Sequence, residues 1–206
     1  MELFTIENNR KTYNAEACFK YLAETGRQRY GSHFTLHKSD YSVIMKLLQY
    51  AIFDEEGCKE KGIELRKGIL LIGPVGCGKT SLMNLIRPFF DEDRKYLIKP
   101  TRDITYEFMN EGYSTIYKYG KSHKIYCFDD LGVEQNHKHY GNECNTMAEI
   151  LLTRYDNMIH SRVPTHATTN LNADELEKMY GNRVRSRLRE MFNLIAFDKD
   201  SPDKRK

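Results

Sequence analysis

Residues 68–81 read GILLIGPVGCGKTS, and this stretch decides the fold. Its first part contains a short, wholly apolar run at residues 69–72, with a glycine on each side. Such a run is typical of a strand that is buried on both faces of a parallel sheet. Residues 73–80 then match the pattern G-x-x-x-x-G-K-[S/T] at every position. The stretch therefore predicts a strand, a phosphate-binding loop and a helix, in that order.

The residue types in this loop suit phosphate binding. Glycine lets backbone N–H groups curl around phosphate oxygens, because it tolerates φ values that side chains forbid. Lys79 would reach the β- and γ-phosphates, and the hydroxyl of Thr80 would ligate Mg²⁺. The chain has no N-K-x-D string to read guanine, so ATP is the expected nucleotide. The predicted nucleotide-binding residues are Gly73, Pro74, Val75, Gly76, Cys77, Gly78, Lys79, Thr80 and Ser81.

Two aspartates, Asp129 and Asp130, follow directly on an apolar run at residues 125–128. Ligands of open α/β sheets bind beyond the carboxyl ends of the strands, so both carboxylates are expected near the phosphate loop. Asp129 is predicted to hold Mg²⁺ together with Thr80. Asp130 is predicted to orient or deprotonate the attacking water. The alternative is a pair of solvated turn residues in front of Gly132.

Apolar runs alternate with helical patterns along the chain. Five strands are predicted, near residues 69–72, 96–98, 125–128, 164–169 and 194–197. Helical periodicity is found from residue 39 to 51 and over residues 103–118, 147–159 and 184–192. Asn172 and Glu175 resemble a helix-start box, and Gly181 a helix stop. This alternation predicts an α/β sandwich around a largely parallel sheet.

The composition of the 206 residues fits such a domain and excludes several classes of protein. Hydrophobic residues make up 40% and charged residues 30%, so a packed core is expected rather than wholesale disorder. No apolar run approaches the roughly 18–20 residues of a membrane span, and no secretory signal is recognised, so no membrane association is expected. Five scattered cysteines without a CxxC pair favour the reducing cytoplasm. A formal net charge of +3 is too mild to establish nucleic-acid binding.

Four segments, taken in order, carry a resemblance to a known family: GPVGCGKTS at 73–81, IYCFDDLG at 125–132, THATTNLN at 165–172 and YGNRVRSRLREMF at 180–192. Over residues 39–200 the chain resembles the AAA+ ATPases, especially the compact DnaC/IstB-like helicase-loader and replication-initiator group. The resemblance implies an α/β, three-layer P-loop NTPase of the AAA+ type, with a five-stranded, mainly parallel sheet and no separate helical lid domain. The expected organisation is an N-terminal extension over residues 1–38, the ATPase domain over 39–200 and a disordered tail over 201–206.

The resemblance also implies two further catalytic residues. Asn170 resembles the sensor-1 residue, which holds the attacking water or the γ-phosphate; the alternative role is a cap or turn for the next helix. Arg187 resembles the arginine finger that one subunit gives to the γ-phosphate of its neighbour. Arg183 is the alternative finger, and a solvated helix face is the alternative reading of both arginines. A finger in trans implies that the protein assembles.

The function implied by the resemblance is Mg²⁺-dependent ATP binding and hydrolysis by an oligomer that acts in DNA replication, as a helicase loader, or in transposition. The expected partners are ATP, further copies of the chain in the ATP state, single-stranded DNA, and a replicative helicase or a transposase. Two alternatives stay open. One is a nucleotide-gated adaptor without significant turnover, and the other is a small-molecule kinase on a P-loop scaffold.

Overall fold

The computed structural model describes residues 3–7, 10–134, 137–139 and 142–205. The first elements in chain order are β1 (Phe4–Glu7), β2 (Arg10–Tyr13), α1 (Ala15–Tyr30), α2 (Tyr41–Ala51), α3 (Glu55–Glu60), β3 (Gly68–Ile72), α4 (Lys79–Ile86) and β4 (Leu97–Pro100). The remaining elements are α5 (Thr101–Glu111), α6 (Tyr113–Gly120), β5 (Tyr126–Leu131), β6 (His137–His139), β7 (Asn142–Cys144), α7 (Thr146–Ser161), β8 (Thr165–Thr169), α8 (Ala173–Met191) and β9 (Phe192–Ala196). Strands β1 and β2 form one antiparallel hairpin, and β6 and β7 form another.

The central sheet has five strands in the order β4-β5-β8-β3-β9, and every neighbouring pair is parallel. The predicted five-stranded α/β fold is therefore confirmed. Strand β8 lies between β3 and β5, although it follows both in the sequence. The end of β8 consequently separates the phosphate loop, which follows β3, from the two aspartates at the end of β5.

Helices cover both faces of this sheet. Successive side chains of β3 point to opposite faces. Ile69 and Leu71 join a core formed with α1, α2, α3 and α4, whereas Leu70 joins a second core formed with α5, α6, α7 and α8. All three side chains are buried. The apolar run in β3 is thus explained by its place in the middle layer of a three-layer sandwich.

Glycines with positive φ interrupt two of the helical segments. Residues 103–118 are helical as predicted except at Gly112, where φ is 64° and the chain divides into α5 and α6. The capping box of Asn172 and Glu175 at the start of α8 is confirmed. Gly181 has a φ of 85° and breaks α8 in its middle, as predicted. Left-handed conformations of this kind favour glycine because it has no Cβ.

Helix α1 belongs to the folded core, although the sequence pattern of residues 1–38 does not indicate it. Its buried residues Cys18, Leu22 and Gly26 recur every four positions, but only Leu22 is a large apolar side chain, so the stripe is weak. The ring of Phe34 covers Gly26 so closely that a Cβ there would lie 2.1 Å from a ring atom. The loop after α1 therefore folds back over the helix.

The segment beyond β9 returns to the phosphate loop. Residues 201–206 are expected to form a disordered tail; the structure describes residues 201–205 of it, and Asp203 and Lys204 approach the loop. The N–H of Lys204 donates to the carbonyl of Gly76 at 3.0 Å, and its ammonium pairs with Asp40. Asp40 lies 164 positions earlier in the chain, so no local pattern could indicate this contact.

All five cysteines are buried as free thiols. Within the described ranges, no helix is both long and apolar enough to cross a bilayer.

Candidate nucleotide-binding and catalytic site

A cleft of about 400 Å³ opens at the carboxyl edge of the sheet. Its walls combine the phosphate loop with Asp130 from β5 and Asn170 from the end of β8. Further lining residues, which the sequence motifs do not indicate, are Tyr30, His33, Phe34, Thr35, Lys204 and Arg205. The fold thus brings three separate sequence motifs into one cleft, and the segments before and after the predicted ATPase domain complete it.

The phosphate loop has the conformation that its glycines permit. Gly76 and Gly78 adopt φ values of 81° and 99°, in the region that side chains rarely occupy. Helix α4 begins at Lys79, so its N-terminus, with the backbone N–H groups that lack intrahelical partners, lies at the cleft. A glycine loop that leads into a helix N-terminus is the kind of backbone nest that binds phosphate oxygens.

Lys79 lies at the base of the loop and is only 4% exposed. Its ammonium donates to the carbonyls of Gly73 and Pro74, each at 2.9 Å, and to Oδ1 of Asn170. The pKa of Lys79 is lowered, chiefly because burial disfavours the charged form. The contact with Asn170 connects the phosphate loop to the sensor-1 candidate on the neighbouring strand.

Thr80 and Asp129 are in direct contact. The hydroxyl of Thr80 donates to the carboxylate of Asp129, with distances of 2.9 and 3.0 Å to its two oxygens. Asp129 is buried, and this burial raises its pKa, an effect that the hydrogen bonds from Thr168 and Thr80 oppose. A hydroxyl and a carboxylate are the oxygen ligands that Mg²⁺ prefers, so the pair fits this metal.

Asp130 has a left-handed backbone, with a φ of 58°, which aspartate tolerates better than most residues. Two threonine hydroxyls fix this backbone. The N–H of Asp130 donates to Oγ1 of Thr168 at 2.9 Å, and its carbonyl accepts from Oγ1 of Thr101 at 2.9 Å. The residue lines the same cleft as the phosphate loop.

Thr168 lies in the segment THATTNLN at 165–172, but the sequence assigns it no role in the site. It is fully buried in β8, where its hydroxyl donates to Oδ1 of Asp129 at 2.7 Å and accepts from the N–H of Asp130. One hydroxyl can make both bonds because it has a donor and two acceptor sites. The only indication of this role in the sequence is that a polar residue stands near the end of a buried strand. The role itself becomes clear only when β8 is known to lie beside β5.

The two candidate arginine fingers do not line the cleft of their own chain. Nη1 of Arg187 lies 3.2 Å from both the hydroxyl of Tyr155 and Oε1 of Glu190, and its guanidinium lies 4.3 Å from the centre of the Tyr155 ring. The side chain of Arg183 is exposed and makes no hydrogen bond or ion pair with the described residues. The arginine finger therefore stays a prediction, with Arg187 as the first candidate and Arg183 as the alternative.

Solved structures of replication proteins share this architecture. The crystal structure of the DnaC helicase loader is similar with a TM-score of 0.53 and 19% identity, over 80% of this chain and 93% of that chain. DnaI is similar with a TM-score of 0.56 and 18% identity, over 81% and 89% of the two chains. The replication initiator DnaA bound to AMPPCP and single-stranded DNA has a TM-score of 0.54 and 16% identity, over 88% and 50%.

These similarities confirm the AAA+ P-loop fold of the DnaC and DnaA type, and at such identities they show the fold alone. No protein-family model matches the sequence, and neither does any curated protein.

Proposed function

We propose that this protein is a Mg²⁺-dependent, self-associating ATPase of the DnaC-like AAA+ type. The observation that carries the proposal is the pair of contacts Lys79–Asn170 and Thr80–Asp129 within one cleft. These contacts bring a phosphate-loop lysine to a polar sensor candidate and a loop hydroxyl to a carboxylate. Binding of a phosphate chain and its metal needs this combination of donors and acceptors.

Each residue has a distinct task in the proposed reaction. The backbone of residues 73–81 binds the phosphate chain, and Lys79 adds a positive charge to it. Thr80 and Asp129 would hold Mg²⁺, which neutralises phosphate charge when it is bound. Asp130 accepts the proton of the attacking water, and Asn170 orients that water or the γ-phosphate.

The nucleobase is proposed to lie against the aromatic side of the cleft. Tyr30 and Phe34 line this side, and their ring centres are 5.5 Å apart. Aromatic rings offer a base a large apolar surface on which it can stack. These residues precede the predicted ATPase domain, so the N-terminal extension would take part in nucleotide binding.

The proposed partners rest on the exposed side chains of α5 and α6 and on the similarity to replication proteins. The similar structures include a helicase loader and an initiator bound to single-stranded DNA. In this chain Tyr106, Tyr113 and Tyr117 are each more than half exposed on α5 and α6, and the ammonium of Lys121 lies 4.6 Å from the ring centre of Tyr117. Exposed rings beside cations suit the stacking of unpaired bases. We therefore propose single-stranded DNA as a partner, together with a replicative helicase or a transposase.

A direct assay tests this function. Purified protein is incubated with Mg²⁺ and ATP, with and without single-stranded DNA, and released phosphate is measured, with EDTA as the control. ATP hydrolysis that depends on Mg²⁺ and rises with DNA is expected. Tight ATP binding without turnover would favour the adaptor, and phosphate transfer to a small acceptor would favour the kinase.

Thr168→Val should raise the Mg²⁺ concentration needed for half-maximal ATP hydrolysis about tenfold, which corresponds to about 1.4 kcal/mol. Valine has a similar shape but can neither donate to Asp129 nor accept from Asp130, so both aspartates lose their shared contact. The measurement is the ATPase rate over a Mg²⁺ titration. Thr168→Ser keeps the hydroxyl and serves as the matched control. If a folded Thr168→Val variant responds to Mg²⁺ as the wild type does, the orienting role is refuted.

Arg187→Ala should bind ATP but lose about 10³-fold or more in turnover, the size of effect typical of an arginine finger. A mixture with Lys79→Ala chains should regain part of the activity, because an intact arginine on one chain then meets an intact loop on the other. The ATPase rate of the mixture is compared with the rate of each variant alone.

Arg189→Ala removes an exposed arginine from the same helix and should behave as the wild type. Absence of rescue in the mixture would count against a finger in trans at Arg187. The same rescue obtained with Arg183→Ala in place of Arg187→Ala would transfer the role to Arg183.

A further inference from the structure

The chain beyond β9 passes directly over the phosphate loop. The N–H of Lys204 donates to the carbonyl of Gly76 at 3.0 Å. At the same point a Cβ on Gly76 would lie only 2.0 Å from the carboxylate of Asp203. The approach is possible because Gly76 has no side chain. We call residues 201–205 the strap.

An ion pair with a buried aspartate holds the strap in place. The ammonium of Lys204 pairs with Asp40, just before α2, and the two side chains are 14% and 2% exposed. The same ammonium lies 5.2 Å from the ring centre of Phe197. The buried carboxylate of Asp40 needs a close cation to offset its loss of hydration, so the pair favours one position for Lys204. The strap is therefore a packed element at the edge of the nucleotide cleft.

The seated strap brings a second cation to the cleft. Lys204 and Arg205 line the same cleft as Lys79. The pKa of Lys79 is lowered chiefly by burial, and the positive charge of Arg205 contributes to this direction to a smaller extent. Arg205 forms an ion pair with Asp203, with its Nε and Nη2 at 3.1 and 3.5 Å from the carboxylate oxygens. Its Nη1 has no acceptor within the described residues, and arginine has donors to spare for a phosphate oxygen.

We propose that Arg205 is a nucleotide-binding residue, which the Asp40–Lys204 pair positions to give a second positive charge to the phosphate chain held by residues 73–80. The proposal rests on the proposed function, since it needs a polyphosphate in the loop. Two cations and a glycine loop that converge on one cleft select a nucleoside polyphosphate over an uncharged nucleoside. The strap thus adds affinity from outside the phosphate-loop motif.

The test is a fluorescence titration of the full chain with a fluorescent ATP analogue in the presence of Mg²⁺. Arg205→Ala should raise the Kd about tenfold, the effect of losing one charge-assisted contact, and Arg205→Lys should recover part of the loss because it keeps the charge. Lys199→Ala removes a charge from an exposed position outside the cleft, so it should bind as the wild type does. Lys204→Met, which unseats the strap, should weaken binding at least as much as Arg205→Ala.

The outcomes separate this proposal from the proposed function. Equal Kd values for the wild type, Arg205→Ala and Lys199→Ala would overturn the role of the strap and leave the nucleotide site intact. Tighter binding by Arg205→Ala would overturn it as well, because the strap would then oppose the nucleotide. If the wild type itself binds no nucleotide, the proposed function fails and this proposal fails with it. Arg205 is largely exposed, so its replacement leaves the fold in place for the comparison.

Discussion

Lys79→Ala should abolish ATP binding at concentrations that saturate the wild type and reduce hydrolysis about 10³-fold, in the range for loss of a single charge-stabilising group. Lys79 is buried at the base of the loop, whereas Lys204 and Arg205, which also line the cleft, are each held in an ion pair of their own. The variant removes the positive charge and also leaves the carbonyls of Gly73 and Pro74 without the donor that they share. Binding is measured by titration with a labelled nucleotide and hydrolysis by phosphate release.

The control for this prediction is Lys59→Ala, which removes an exposed lysine from α3 and should leave both activities unchanged. Thermal unfolding of both variants establishes that they are folded when they are assayed. A folded Lys79→Ala protein that binds and hydrolyses ATP like the wild type would eliminate the loop as the nucleotide site.

Asp130→Asn should bind ATP with unchanged affinity and hydrolyse it about 10²- to 10⁴-fold more slowly, the contribution typical of a general base. The substitution is well matched, because asparagine also tolerates a φ of 58° and the contacts with Thr168 and Thr101 use only the backbone. It therefore removes the proton acceptor and keeps the local structure.

Single-turnover hydrolysis, measured beside the equilibrium Kd, separates the chemical step from binding in this variant. Hydrolysis at the wild-type rate would rule out Asp130 as the base. A loss of affinity equal to the loss of rate would assign the residue to nucleotide binding instead.

The parts of the molecule that could be predicted from the sequence depend on local residue preferences. The apolar run of β3, the glycine loop and the capping box of Asn172 and Glu175 each require particular residue types over a few positions. Their structures follow from those types alone. The five strands and the α/β class follow in the same way. The division of the helical segment at Gly112 does not, because the periodicity of apolar residues carries no information about a single residue with a left-handed backbone.

The parts that could not be predicted depend on contacts between distant positions. The insertion of β8 between β3 and β5 is a property of the whole sheet, and it brings Thr168 to Asp129 across 39 positions. The pairing of Asp40 with Lys204 is of the same kind. Sequence motifs identify the candidate catalytic and binding residues. The three-dimensional structure is needed to identify the residues that orient them and the segments that close the cleft.

The break at Gly181 separates the two halves of α8 in a way that an unbroken helix does not allow. Successive residues of a continuous helix are rotated by about 100° around its axis. Deletion of one residue near the start of such a helix would therefore rotate all later side chains, including the arginines, to a different side of the helix. Gly181 is not helical, so the regular rotation from one residue to the next is interrupted there. The orientation of the second half of α8 is then set by the packing of its buried side chains, Val184, Leu188 and Met191. The directions in which Arg183 and Arg187 point therefore do not depend on the length of the first half of α8.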